Sequence, residues 1–280
     1  MLKYFHKSIK ITTRAVTHMS RRISAEWRAE PDFIIIGAQR AGTTSLYTYI
    51  VQHPQVLPAF KKEVHWFDIN YEKGESWYRG HFPLTISMRN GTYVTGEASP
   101  YYIFHPHCSE RIRGQIPGVK LIVLLRNPVY RAISHYFHEV QNKRESLSIK
   151  EAFQKEEERL AFEIQRMNMD PTYHSRAHRH FSYKTRGIYV DHLIPYLQIF
   201  PPHQVLILKA EDLFSEPRKV MRDVYAYLDI DSTFLPKDLS PRNIGIYTKE
   251  VPKDVFDYLR DYFRPHNERL YTYLERDFAW

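Results

Sequence analysis

The sequence predicts a single α/β domain, a central parallel sheet flanked by helices, with a P-loop-like anion-binding loop behind its first strand. Three observations carry this. The runs at 32–37, Lys120–Leu125 and 204–209 are apolar almost without break, as strands buried on both faces are. Helix-like patterns separate them, so the connections are crossovers and the pairing is parallel. The chain has 280 residues, of which 43% are hydrophobic, enough for one large core, and no repeat, low-complexity block or linker divides it.

Residues 1–30 form a basic N-terminal extension, followed by one domain over 31–280. Six Lys/Arg precede the first acid, Glu26, and the apolar core of a signal peptide is missing. The extension reads first as a poorly ordered basic tail, with an amphipathic surface-binding helix making a peripheral contact, or a transit-like leader, as the alternatives. The strand at 32–37 leads into a helix over 43–52, which His53-Pro54 stops. A short strand at 92–96 precedes the segment EASPYY. After the strand Lys120–Leu125, Pro128 opens a helix expected over 128–142. A long, Glu-rich helix is expected over 148–167. The helix over 187–200 should be bent or interrupted by Pro195. The strand at 204–209 and helices at 217–228 and 252–263 follow, and the chain ends in a Tyr/Leu-rich helical segment.

In such sheets ligands bind beyond the carboxyl ends of the strands. The loop GAQRAGTTS, after the first strand, lies there. Gly37 and Gly42 let the backbone approach a ligand closely, and the amides opening the next helix point at an anion. Thr43, Thr44 and Ser45 add hydroxyl donors. The glycine spacing is that of a nucleotide-binding P-loop, yet Thr43 stands where the lysine would be, and the only local cation is Arg40. The segment after the second strand, RNPVYRAISHY, repeats the logic. Arg126 projects from the strand end and Ser134 lies about two turns into the following helix, so together they suit a second phosphate.

These two segments, in this order, resemble the sulfotransferases that use 3′-phosphoadenosine 5′-phosphosulfate (PAPS). The match sharpens at KKEVHWFD, where Glu63, His65 and Asp68 fall on positions typical of the heparan sulfate sulfotransferases, the 3-O group especially, with the N group and bacterial-type relatives behind. GEASPYYIF, the segment from RGIYVDHL to ILKAEDL, and the closing LERDFAW extend the resemblance over 32–280. It implies PAPS as donor, 3′-phosphoadenosine 5′-phosphate (PAP) as product, and no metal. It assigns donor binding to Gln39, Arg40, Ala41, Gly42, Thr43, Thr44, Ser45, Arg126, Ser134, Tyr189, Arg242, Tyr247 and Lys249. Catalysis falls to Glu63, Arg40, His65 and Asp68, with Glu63 as general base and His65 as the alternative base. Lys61, Lys62, His65, Ser99 and Tyr101 are expected on the acceptor side. Two features depart from the animal enzymes. Arg40 replaces the loop lysine, and a disulfide-closed loop is impossible with Cys108 as the single cysteine.

The totals agree with an anionic ligand. Lys+Arg 40 against Asp+Glu 32 gives a net charge of +8 and a pI near 9.3. The 15 histidines are scattered, without HExxH or a Cys/His ligand set, so no metal is expected. A kinase is the rival enzyme class, disfavoured by the missing lysine. A polyanion-binding protein is the rival non-enzyme class, and nucleic acid is not the expected partner. The basic stretch at 176–186 either lines a cleft for an acidic saccharide or is solvated surface. The acceptor is a hydroxyl or amine compound, a glycan by resemblance, with lipid, polyketide and small metabolite left open. A cytoplasmic, microbial setting is the expectation, and the sequence leaves the oligomeric state open.

Overall fold

Five parallel strands form one sheet in the order β2–β3–β1–β4–β5, in a computed structural model that describes residues 19–242 and 250–280, apart from the side chains of residues 89 and 90. The strands are β1 Phe33–Gly37, β2 Val56–Pro58, β3 Val94–Ala98, β4 Lys120–Leu125 and β5 Val205–Lys209. β1 lies at the centre, every residue of it buried, with Phe33 opposite Gly96 on one side and Lys120 on the other. That register needs a glycine in β3, since a Cβ on Gly96 would stand 2.3 Å from the Phe33 carbonyl oxygen. β2, which the sequence reading missed, is three residues at the sheet edge, where Pro58 is tolerated.

The crossovers place helices on both faces. The longer ones are α1 Thr43–Ile50, α3 Cys108–Gln115, α4 Pro128–Gln141, α9 Tyr189–Ile199, α11 Pro217–Tyr227 and α12 Lys253–Leu274. Short helices fill the rest: α2 Glu75–Arg79, α5 Ile149–Gln154, α6 Glu156–Leu160, α7 Glu163–Met169, α8 Arg176–His180 and α10 Ala210–Ser215. Leu46 and Ile50 of α1, Ile133 of α4, Leu193 of α9, Val224 of α11 and Phe263 of α12 meet the sheet in one core. Asn127 caps α4 by accepting from the Val129 amide at 3.0 Å, with Pro128 as first helical residue. Among the described residues no helix is long and apolar enough to cross a membrane.

The helix expected over 148–167 is three helices, α5, α6 and α7. Its start stands, with Ser148 and Glu151 forming a capping box. The breaks have a tertiary cause. Glu156 is buried and its carboxylate accepts from the Lys184 and Thr185 amides at 2.6 and 2.8 Å and from the Thr185 hydroxyl at 2.7 Å. Phe162, at φ 64°, then turns the chain into α7. Elsewhere the chain is more regular than expected. α9 runs through Pro195, and α12 continues through Pro265 to Leu274, both held by their buried faces.

Candidate active site

A cavity of about 1040 Å³ opens at the carboxyl ends of β1, β3, β4 and β5, where the strand order reverses around β1. Its wall contains Gln39, Arg40, Ala41, Gly42, Thr43 and Thr44 from the loop after β1, and Arg126 and Ser134 from the segment after β4. Glu63, His65, Tyr101 and Arg242 stand on the same wall. Twelve of the residues singled out from the sequence, far apart in the chain, therefore face one space.

The loop after β1 and the segment after β4 interlock. Gly42 caps α1 with φ 103°, and no side chain caps the first amides of that helix. A Cβ on Gly42 would meet the Phe214 ring at 2.7 Å. Arg40, at φ 69°, donates Nε–H to Ser134 Oγ at 3.1 Å, and its Nη1 stands 3.5 Å from His138 Nδ1. Arg126 Nη1 donates to the Arg40 carbonyl at 3.1 Å, and the Tyr189 hydroxyl donates to the Arg126 carbonyl at 2.7 Å. Tyr189 is buried behind the wall, so it positions Arg126 and does not face the cavity. Ser45 is likewise buried; its hydroxyl accepts from the Arg242 amide at 2.8 Å and brings that residue to the wall. Arg242 pairs with Asp238. Tyr247 and Lys249 lie outside the described residues.

The opposite wall is a strained turn. Glu63 and His65 have φ of 58° and 56°, left-handed values that cost non-glycine residues about 1–3 kcal/mol each. The surroundings hold them there. The Glu63 amide donates to the Ala98 carbonyl at 3.1 Å, Val64 N–H to Glu97 Oε2 at 3.2 Å, His65 N–H to Ser99 Oγ at 3.0 Å and Trp66 N–H to the Tyr102 hydroxyl at 2.8 Å. Glu97 gathers this set. It is fully buried and also accepts from the Ser99, Tyr102 and Tyr78 hydroxyls at 2.6, 2.8 and 3.2 Å. Burial pushes its carboxyl up, against those hydrogen bonds. Ser99, expected to touch the acceptor, is instead a buried clip between Glu97 and His65. Glu97 itself went unread, although a carboxylate at the end of an apolar strand is a signal, because such groups are buried only with partners.

Glu63 presents a side chain 46% exposed. Burial pushes its carboxyl up, but Lys62 Nζ at 2.5 Å, then His65 and Lys61, outweigh it and hold Glu63 below the usual glutamate range. Lys62 thus touches the cavity through Glu63, and Lys61 acts on Glu63 only by charge; neither is a wall residue. His65 Nδ1 lies 2.6 Å from Asp68 Oδ2, and His65 Nε2 lies 3.9 Å from Glu63 Oε2. Asp68 is buried, its other oxygen accepting from the Ile69 amide at 2.6 Å, so it orients His65 from behind the wall.

A second unread residue is Arg186. It is buried, its guanidinium over the rings of Tyr101 and Phe104 at 5.0 and 4.6 Å, and it donates to Gln39 Oε1 and to the His178 carbonyl. Burial pushes it down to about 9. The basic stretch 176–186 therefore divides. Lys184 and Arg186 are buried supports, whereas Arg176 and Arg179 line a separate hollow of about 200 Å³ that shares Tyr101 with the main cavity.

The cavity wall is also aromatic, at Tyr130, Phe214 and Trp280. Among the described residues, Glu211 Oε2 and Trp280 Nε1 on this wall are buried without a hydrogen-bond partner.

Comparison with known proteins gives the same direction. The family model described as sulfotransferase domain matches residues 30–244. The membrane-associated sulfotransferase kil1 of Dictyostelium discoideum is 28% identical, over 89% of this chain and 66% of its own. The heparan sulfate glucosamine 3-O-sulfotransferase 3B1 of Mus musculus is 30% identical, over 89% of this chain and 65% of its own. The chain thus spans just under two thirds of the length of these curated relatives. The crystal structure of a sulfotransferase from Alicyclobacillus acidocaldarius superposes with a TM-score of 0.69 at 30% identity, covering 90% of this chain and 98% of that one.

Proposed function

The chain belongs to the sulfotransferase domain family, and on that premise we propose that it moves a sulfuryl group from PAPS to a hydroxyl or amine of a carbohydrate acceptor, with Glu63 as general base. One observation supports this most: the anion-binding loop, the Arg126–Ser134 segment and the Glu63 carboxylate share one cavity. The glycan acceptor rests on the 3-O-sulfotransferase relatives and on the hollow at Arg176 and Arg179.

PAPS supplies the sulfuryl group, already attached to a phosphate that leaves well. The protein positions reactants and stabilises charge. The amides opening α1, with Arg40, hold the 5′ end, and Arg126 with Ser134 holds the 3′ phosphate. Arg40 and those amides offset the charge left on the departing oxygen. Glu63 takes the proton from the acceptor hydroxyl as that oxygen attacks. Its low pKa keeps it ionised at neutral pH but makes it a weak proton acceptor while Lys62 is bound. An acceptor hydroxyl that displaces Lys62 strengthens the base as it arrives. A second reading, His65 as base, draws on its contact to buried Asp68, which orients a ring whose Nε2 lies toward Glu63.

The test is incubation with labelled PAPS and an acceptor panel of acidic glycans, neutral glycans and small alcohols, read by mass spectrometry. Label is expected on a glycan. Transfer only to small alcohols overturns the acceptor class, and transfer to no member of the panel, with PAP bound, overturns the reading as a whole.

A further inference from the structure

A further hollow, of about 480 Å³, shares no wall residue with the active cavity. Ile103 and Phe104 of its wall follow β3, Leu160 and Ala161 stand at the break between α6 and α7, and Pro195 and Tyr196 belong to α9. The turn at Phe162 that divides the helix expected over 148–167 therefore helps to shape it. The size lies within the roughly 300–1,000 Å³ of small-molecule sites, and so does the character, an apolar wall with a few polar groups.

Those polar groups suit a neutral ligand. His105, His178 and His192 line the hollow. Burial pushes His105 down to about 3 and His192 to about 4, and holds His178 well below the usual histidine range, so all three are uncharged at neutral pH. Among the described residues no lysine or arginine lines this wall, so an anion finds no partner. Its carboxylates, Glu157 and Asp191, are exposed, and Asp191 already pairs with Arg269 at 2.6 Å. Exposed carboxylates hold a cation only weakly.

His178 supplies the specific contact. It is 1% exposed, and its ring stacks on Phe104 with centroids 4.0 Å apart and planes 10° from parallel. His178 Nδ1 lies 2.7 Å from the hydroxyl of Tyr101, a wall residue of the active cavity. The stack and that bond fix the ring. Its other nitrogen, Nε2, is buried without a hydrogen-bond partner. His192 differs, with Nε2 engaged on the Thr185 carbonyl at 2.9 Å. A buried nitrogen left unpaired costs stability, and a group that pairs with it recovers that cost. The Tyr101 bond is compatible with both tautomers, Nε2 being a donor in one and an acceptor in the other. A hydroxyl answers either.

We propose that this hollow binds a small, neutral, apolar molecule carrying one hydroxyl, which pairs with His178 Nε2. The site is separate from the cavity of Glu63, and the His178–Tyr101 bond links the two. The test is equilibrium dialysis of the full chain against 2-naphthol and naphthalene. 2-Naphthol is expected to bind more tightly. Ala161→Trp puts a bulky ring on the wall at an exposed position, and is expected to weaken 2-naphthol at least about tenfold with the unfolding midpoint unchanged. His178→Phe keeps a ring to stack on Phe104 and removes Nε2, so the preference for 2-naphthol over naphthalene is expected to fall at least about fivefold. Failure of wild type to bind either compound overturns the proposal. Equal affinity of wild type for the two overturns the hydroxyl contact. 2-Naphthol binding unmoved by both variants places the compound elsewhere and overturns the site. A dimer seen by light scattering and broken by Ala161→Trp overturns it too, making the occupant a second copy.

Discussion

At the residue scale, the account turns on Glu63 and the cation beside it. Removing a positioned base typically costs about 10²–10⁴-fold in rate. The pH dependence follows from the sign of the Glu63 shift. Its pKa lies below the usual glutamate value, chiefly because Lys62 outweighs burial, so transfer is lost only as pH falls beneath that range. Lys62→Ala removes the largest lowering contribution. The acid limb of the kcat/KM profile is therefore expected to move to higher pH, and an unmoved limb would show that Glu63 is not the group titrating. The spacing Glu63, His65, Asp68 was legible through the family motif. That Asp68 orients His65 and that Lys62 covers Glu63 was not, because both depend on the left-handed turn at Glu63 and His65. Ser45 was taken as a ligand residue as a hydroxyl of the anion loop, and Ser99 from the family resemblance of its segment. Their buried contacts with His65 and Arg242 place them one layer behind.

At the element scale, loops set the site and the sheet fixes the loops. Gly42→Ala puts a side chain at φ 103° and drives its Cβ toward the Phe214 ring, 2.7 Å away. PAP affinity measured by calorimetry should weaken about 5- to 150-fold, as a backbone strain of about 1–3 kcal/mol relieved by moving the loop implies. Glu97→Ala strips the acceptor from three buried hydroxyls and the Val64 amide. A loss of stability of about 3 kcal/mol or more is expected in urea unfolding, with transfer lost through the Glu63–His65 turn. An unfolding midpoint like that of wild type would mean that Glu97 does not hold the turn. β1, β4 and β5 were readable from their apolar runs, because strands buried on both faces leave little else in the sequence. The long helix expected over 148–167 was not one helix, since Glu156, the first residue of α6, is turned inward to bind the backbone at Lys184 and Thr185. No local pattern reports a partner 28 residues away.

At the scale of the whole molecule, the sheet topology does the assembling. Placing β1 between β3 and β4 brings four strand ends to one edge, and with them the loop after β1, the Arg126–Ser134 segment and the Glu63 carboxylate. The parallel sheet and the edge at which the cavity opens were legible from alternating elements alone. The buried supports Glu97 and Arg186 were not, because single buried charges have no periodicity. The central claim is that one cavity binds the donor and activates the acceptor through Glu63. The most direct measurement compares wild type with Glu63→Gln, by calorimetry with PAP and by single-turnover transfer from labelled PAPS. The account expects PAP affinity equal to wild type and transfer slowed at least about 10²-fold. A variant that binds PAP normally and still transfers at the wild-type rate would contradict it.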